Sequence, residues 1–275
     1  MATNSYGNII CFLLTTLFYY LALKPKKTFE IENSESFLYL GIYFLLILIT
    51  QFIVNASIIT SNCGGSIREN IGPAFMFTFF PWTLIFGAMM VILIMYPGFK
   101  SVFSDVIGYF YVASSANKLL TDLLVNKDVQ DSLPSNMDEK EKSKMMNAAD
   151  TIIKICGNTS ILINQIVPIN FNEYWEELQP LMKQQFQKDS SNPETNKMKT
   201  ELFELVVTRD NVGEAMWFIY TGFLITSLVQ LKMNTKGCTV TPEQMAKNYQ
   251  DYLDEQEKAD AAIKLSTSQE YVITN

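Results

Sequence analysis

The stretch Phe37-Leu38-Tyr39-Leu40-Gly41-Ile42-Tyr43-Phe44-Leu45-Leu46-Ile47-Leu48-Ile49 carries no charge and no polar group beyond two tyrosine hydroxyls, and the uncharged run extends to Ile59. Wound as a helix, 37–59 covers about 35 Å, enough for a hydrocarbon core of about 30 Å. A helix lying on a water-soluble core would show a polar stripe, and this one shows none over its first four turns. The stretch therefore reads as a membrane-spanning helix and sets the fold class as all-α, a multi-span helical membrane protein. Gln51 and Asn55, four residues apart near its far end, share one face and are expected to turn toward neighbouring helices, where their amides find partners.

Working outward, 74–96 is a second strong span. It contains Pro81, which removes a backbone donor and predicts a kink or a helix start, and it ends at Pro97-Gly98. Trp82 and Tyr96 read as its two interfacial anchors. A third span covers 212–231, with Trp217 as an anchor. Glu214 lies near its edge, where a carboxylate can reach headgroup water. Gly222, Thr221 and Thr226 offer small surfaces to a neighbouring helix. The uncharged segment at 6–23 is short, reaching about 22 Å over residues 9–23. It has no basic residue before it, and Lys24-Pro25-Lys26-Lys27 follows where a signal-peptide cleavage site would stand. It is read as an uncleaved anchor, giving four spans; a three-span arrangement without it is the rival.

Composition agrees with a chain partly dissolved in lipid. Of 275 residues, 48% are hydrophobic and 18% charged, where a soluble domain carries about 25% charged residues. The net charge of −7 and the lack of a basic stripe speak against a nucleic-acid partner. There is no histidine, which removes a catalytic triad and any His-bearing zinc site. Carboxylate groups such as Glu173 with Glu176 and Glu177 read as solvated helix faces. No nucleophile elbow, phosphate loop or metal motif is present, so neither an enzyme nor a cofactor is expected.

The lysines at 24–27 place the first loop on the cytosolic side by the positive-inside tendency. Alternation then puts the 60–72 loop on the far side, 97–211 on the cytosolic side and the tail from 232 on the far side again; Lys232 and Lys236 disagree. On that topology Cys63 and Cys238 lie just outside spans on one side, and a disulfide between them is expected, two unpaired thiols being the alternative. The glycines around Cys63-Gly64-Gly65 read as turn chemistry.

The water-facing parts form three pieces. In 97–125, Phe99, Val102, Phe103, Val106 and Phe110 recur every three or four residues, predicting an amphipathic helix that lies on the membrane surface or opens the cytosolic domain. Residues 126–211 read as a small helical domain on the cytosolic side, in which Tyr174 and Trp175 are interface or core aromatics. Residues 232–275 read as a charged helical tail whose end, Tyr271 to Thr274, is able to add a strand to a partner.

Cys63-Gly64-Gly65, Asn70-Ile71-Gly72, Pro81-Trp82, Phe86-Gly87 and Tyr96-Pro97-Gly98-Phe99-Lys100, with Phe103-Ser104 and Ile107-Gly108-Tyr109, resemble a family of multi-span virion membrane or minor capsid proteins of large nucleocytoplasmic DNA viruses, especially those of algae. Asn211-Val212-Gly213-Glu214, Trp217, Thr221-Gly222 and Cys238 resemble the last segment of the same family. The likeness runs from about Ser61 to Cys238, with the middle domain poorly matched. It implies residence in an internal virion membrane derived from host endoplasmic reticulum, and a 97–211 domain that grips the capsid or a minor capsid protein. The aromatic residues Phe99, Phe103, Phe110, Tyr174 and Trp175 are the expected partner contacts. Rival classes are a channel or transporter, which needs a polar path through the spans, and a fusion or remodelling component, for which 99–111 is the exposed apolar element.

Overall fold

A computed structural model describes residues 6–26, 34–64, 66–124, 159–187, 193–235 and 242–268. Within these the elements are helical, with one isolated antiparallel bridge between Leu124 and Met182. The stretch at 126–144, Cys238 and Tyr271 to Thr274 lie outside the described residues.

Three helices are long and apolar enough to cross a membrane, and a shorter apolar helix joins them. That shorter helix is α1 (Gly7–Leu23). Then come α2 (Ser34–Cys63) and α3 (Ile67–Met95). A helix over 97–123, here α4, follows; it opens with a 3-10 turn at Pro97–Lys100 and is π-helical over Ser104–Gly108. The extramembrane helices are α5 (Thr159–Gln165), α6 (Phe171–Leu178) and α7 (Gln184–Gln187). The third long apolar helix is α8 (Pro193–Thr235), and α9 (Pro242–Ser268) ends the described chain. The spans expected at 37–59, 74–96 and 212–231 are thus parts of longer helices. α3 begins earlier than expected and runs through Pro73 and Pro81. Having no donor at Pro81, it widens to a π-helical stretch over Trp82–Gly87 instead of breaking.

Two cores form. In the first, α1, α2, α3 and the C-terminal half of α8 pack around Phe12, Tyr43, Trp82, Phe86 and Phe218. The inward stripe of α3, Ala74-Thr78-Trp82-Phe86-Met90-Leu93, recurs at helical spacing. Trp82 lies on that stripe with 0% exposure, its ring 5.4 Å from those of both Phe12 and Phe86. The expected interfacial anchor is therefore a central packing residue. Tyr96 is exposed, and Trp217 is half-buried against Phe99 and Phe103. Gln51 and Asn55 do face neighbouring helices: Asn8 donates to Asn55 Oδ1 at 2.9 Å, Asn55 to Thr78 Oγ1 at 2.9 Å, and Gln51 to the Asn8 carbonyl at 3.1 Å.

The second core joins α4 (Ala116, Leu119, Leu120, Leu123), α5 (Ile163), α6 (Phe171, Trp175, Leu178) and the N-terminal half of α8 (Leu202, Phe203, Val206). One helix, α8, therefore serves both cores. At 43 residues it is about 65 Å long.

α4 runs antiparallel along α8. Phe99 and Phe103 meet Trp217, Ser104 and Lys100 meet Gly213, Gly108 meets Arg209, and Ala116 to Leu123 meet Leu202 to Val206. The amphipathic helix read at 97–125 is present, but its inner face is taken by α8 along most of its length. At the opposite end of the bundle the turn between α2 and α3 uses Gly64 at φ 71°, and Glu69 accepts the Ser66 backbone N–H at 3.2 Å. The described positions of α9 are exposed.

Candidate functional site

Where α1, α4 and α8 meet, six ionisable side chains come together. Asp210 and Glu214 are four apart on α8 and so share a face. Lys100 comes from the 3-10 turn that opens α4. Lys24 comes from the end of α1, whose last turn is π-helical over Tyr19–Leu23. Lys100 Nζ lies 3.0 Å from Asp210 Oδ2 and 2.8 Å from Glu214 Oε2. Lys24 Nζ pairs with Glu214 Oε1, to which Tyr20 also donates its hydroxyl at 3.0 Å. The Lys24 ammonium stands 4.7 Å from the Tyr20 ring centroid, a cation–π contact. All four charged side chains are nearly buried.

Arg209 and Asp105 extend the cluster. Arg209 is 1% exposed. It donates to the Ile163 carbonyl, to Asn164 Oδ1 at 3.1 Å and to the Ile166 carbonyl at 3.0 Å, with Asp105 at 3.9 Å. Carbonyls at the C-terminus of α5 lack intrahelical donors and carry partial negative charge, so a guanidinium there satisfies both. Asn164 in turn donates to the Asp105 carbonyl at 3.0 Å. With three cations (Lys24, Lys100, Arg209) and three anions (Asp105, Asp210, Glu214) the cluster is neutral.

Lys100 is held between two carboxylates, Asp210 and Glu214, so its buried ammonium is paired on both sides. Each oxygen of Glu214 is engaged by an ammonium. The arrangement is therefore suited to holding three elements together rather than to moving protons. Among the described residues no group of His, Cys, Asp or Glu is placed to hold a metal ion.

Backbone packing sets the cluster's geometry. A Cβ on Gly213 would sit 2.7 Å from Ser104 Cβ and 2.9 Å from the Lys100 carbonyl, and one on Gly108 would sit 2.6 Å from the Arg209 carbonyl. The two glycines let α4 and α8 approach backbone to backbone. On the other side of α8, Gly222 admits the Phe12 ring of α1. Trp217 fixes the start of α4 by donating Nε1–H to the Phe99 carbonyl at 3.0 Å.

The aromatic residues expected to contact a partner divide. Trp175 is 3% exposed and belongs to the second core, against Phe171; it is a packing residue because its stripe with Phe171 and Leu178 faces α8. Tyr174 packs on that core, and Phe103 is half-buried against Trp217. Phe99 and Phe110 are exposed. Cys63 is disulfide-bonded and Cys11 is a free thiol; Cys156 and Cys238 lie outside the described residues.

Glu214, expected at a span edge within reach of headgroup water, instead joins Lys24, Lys100, Asp210 and Arg209 in a buried cluster that the sequence does not predict. The available signal was the coincidence of a lysine just past two span ends with two carboxylates opening a third. Comparison with protein-family models, curated proteins and solved structures gives no match.

Proposed function

We propose that the chain is a structural membrane protein that holds its helical domain rigidly against one face of a bilayer. The observation that carries this reading is α8, shared by both cores and tied at their junction by Lys24, Lys100, Asp210 and Glu214. An anchor with a flexible linker would need none of these buried ions. The centre of the membrane bundle is filled by Phe12, Tyr43, Trp82, Phe86 and Phe218, which favours a packed anchor over a channel. In this reading α1 is a fourth crossing. It is short, about 26 Å, and is kept in the bundle by Phe12 seated at Gly222.

The resemblance to virion membrane proteins supports a more specific setting: the internal membrane of a large DNA virus, with the 97–211 domain turned toward the capsid or a minor capsid protein. Cys63 stands at the end of the bundle where α8 also ends, and α8 ends three residues before Cys238 in the sequence. Cys238 is thus the partner proposed for Cys63. Lysine-directed crosslinking of the intact particle tests the setting. Crosslinks from Lys118, Lys183 or Lys197 to a shell protein are expected; crosslinks confined to the chain itself and to lipid would overturn it.

A further inference from the structure

The outer face of α4 changes character partway along. From its start to Tyr111 it exposes Phe99, Val102, Val106 and Phe110, the last at 76%, together with Ser101 and the Asp105 carboxylate, which is 38% exposed and stands 3.9 Å from Arg209. From Ser114 on it exposes Ser115, Asn117, Lys118, Thr121 and Asp122. α8 shows the same change. Its exposed residues from Glu194 to Glu204 are polar, and from Tyr220 through Leu224, Leu228 and Leu231 they are apolar apart from Ser227. Because Gly108 lies at Arg209 and α4 runs antiparallel, the switch between Tyr111 and Ser114 falls beside residues 203–207 of α8. No side chain of α8 between Glu204 and Tyr220 is exposed, so its own change is bracketed by those two residues, and the α4 switch falls at the upper end of that interval.

We infer that the 99–111 face of α4 is bathed in the acyl chains of one leaflet, making it a partial membrane element that seals the buried ion cluster from lipid. The apolar face is continuous with the exposed end of α3 at Met95 and Tyr96, so it extends the lipid-facing belt and is not an isolated patch. From residue 207, the lower edge of that boundary, to Leu231, the last exposed apolar residue of α8, is about 36 Å, which fits a hydrocarbon core of about 30 Å with a tilt inside the usual range. Lys100, Asp210 and Glu214 then lie on the hydrocarbon side of the boundary. Charges at that depth are tolerated when paired and turned to the protein interior, and the apolar outer face of α4 is what keeps them there. Phe99 and Phe110 are lipid contacts on this inference and leave the partner surface to the polar part beyond Tyr111.

The inference rests on the membrane reading, and spin-label accessibility on the full chain in lipid nanodiscs separates the two. Labels go at Val106→Cys, Phe110→Cys, Lys118→Cys and, as a span reference, Leu224→Cys, with free native thiols replaced by serine. Positions 106 and 110 are expected to match 224, open to oxygen and closed to a water-soluble nickel chelate, with 118 reversed. If 106 and 110 behave like 118 while 224 stays lipid-exposed, the inference falls and the membrane reading stands. If 106 and 110 are closed to both reagents, they pack on a second copy or another protein, and the inference again falls. If 224 itself is open to the chelate, both readings fall.

Discussion

Glu214 stands between two ammonium groups that come from opposite parts of the chain, Lys24 from α1 and Lys100 from α4. Removing the charge of one partner in a buried cluster costs about 3–5 kcal/mol, while replacing a pair with apolar side chains of similar size is often close to neutral. Glu214→Gln is therefore expected to lower unfolding stability in mild detergent by that amount, and Glu214→Leu combined with Lys100→Met to lose less than the two single changes added together. A denaturant titration of the four variants beside the unchanged protein checks both. Glu214 was visible in the sequence as a charge at a span edge, but its fate was not: Lys24 is 190 residues away, and no local pattern reports a pairing at that separation. Gln51 and Asn55 were legible because an amide inside an apolar helix has few options besides a neighbouring helix.

Among the elements, the α4–α8 pair depends on two glycines and the α1–α8 pair on a third. Gly213→Ala drives a methyl against the Lys100 carbonyl and Ser104 Cβ, and Gly222→Ala drives one into the ring of Phe12, itself wedged against Trp82 and Phe86. Overpacking of this kind costs about 1–3 kcal/mol. Gly41 has nothing within 4 Å of an added Cβ, so Gly41→Ala is the matched control and is expected to be neutral or slightly stabilising through helix propensity. Thermal aggregation midpoints of the three variants in one detergent rank them. Helix existence was plain from apolar runs, and Gly222 was recognisable as a small-residue surface. The extents were not, because α3 continues through two prolines and α8 extends far upstream of its apolar part. Trp82 misled for a related reason: a tryptophan near a proline resembles an interface marker, while its burial is decided by the phase of the Ala74-to-Leu93 stripe.

At the scale of the molecule, the fold is two helical cores threaded on one helix, with the membrane part below and the α4–α7 domain around its upper half. The rigidity of that arrangement is the central claim, and it was only partly legible: the sequence shows a helical pattern before Asn211 and an apolar one after it, but whether the two are one helix depends on the packing of Lys100, Ser104 and Gly108 across 209–213. The most direct measurement is a pulsed electron-spin distance between labels at Glu201→Cys and Leu231→Cys, both exposed on α8, with the full chain in nanodiscs. A continuous helix gives a single narrow distribution near about 45 Å. A broad distribution, or a second population well below that distance, would mean that α8 bends or breaks between the two cores and would contradict the account.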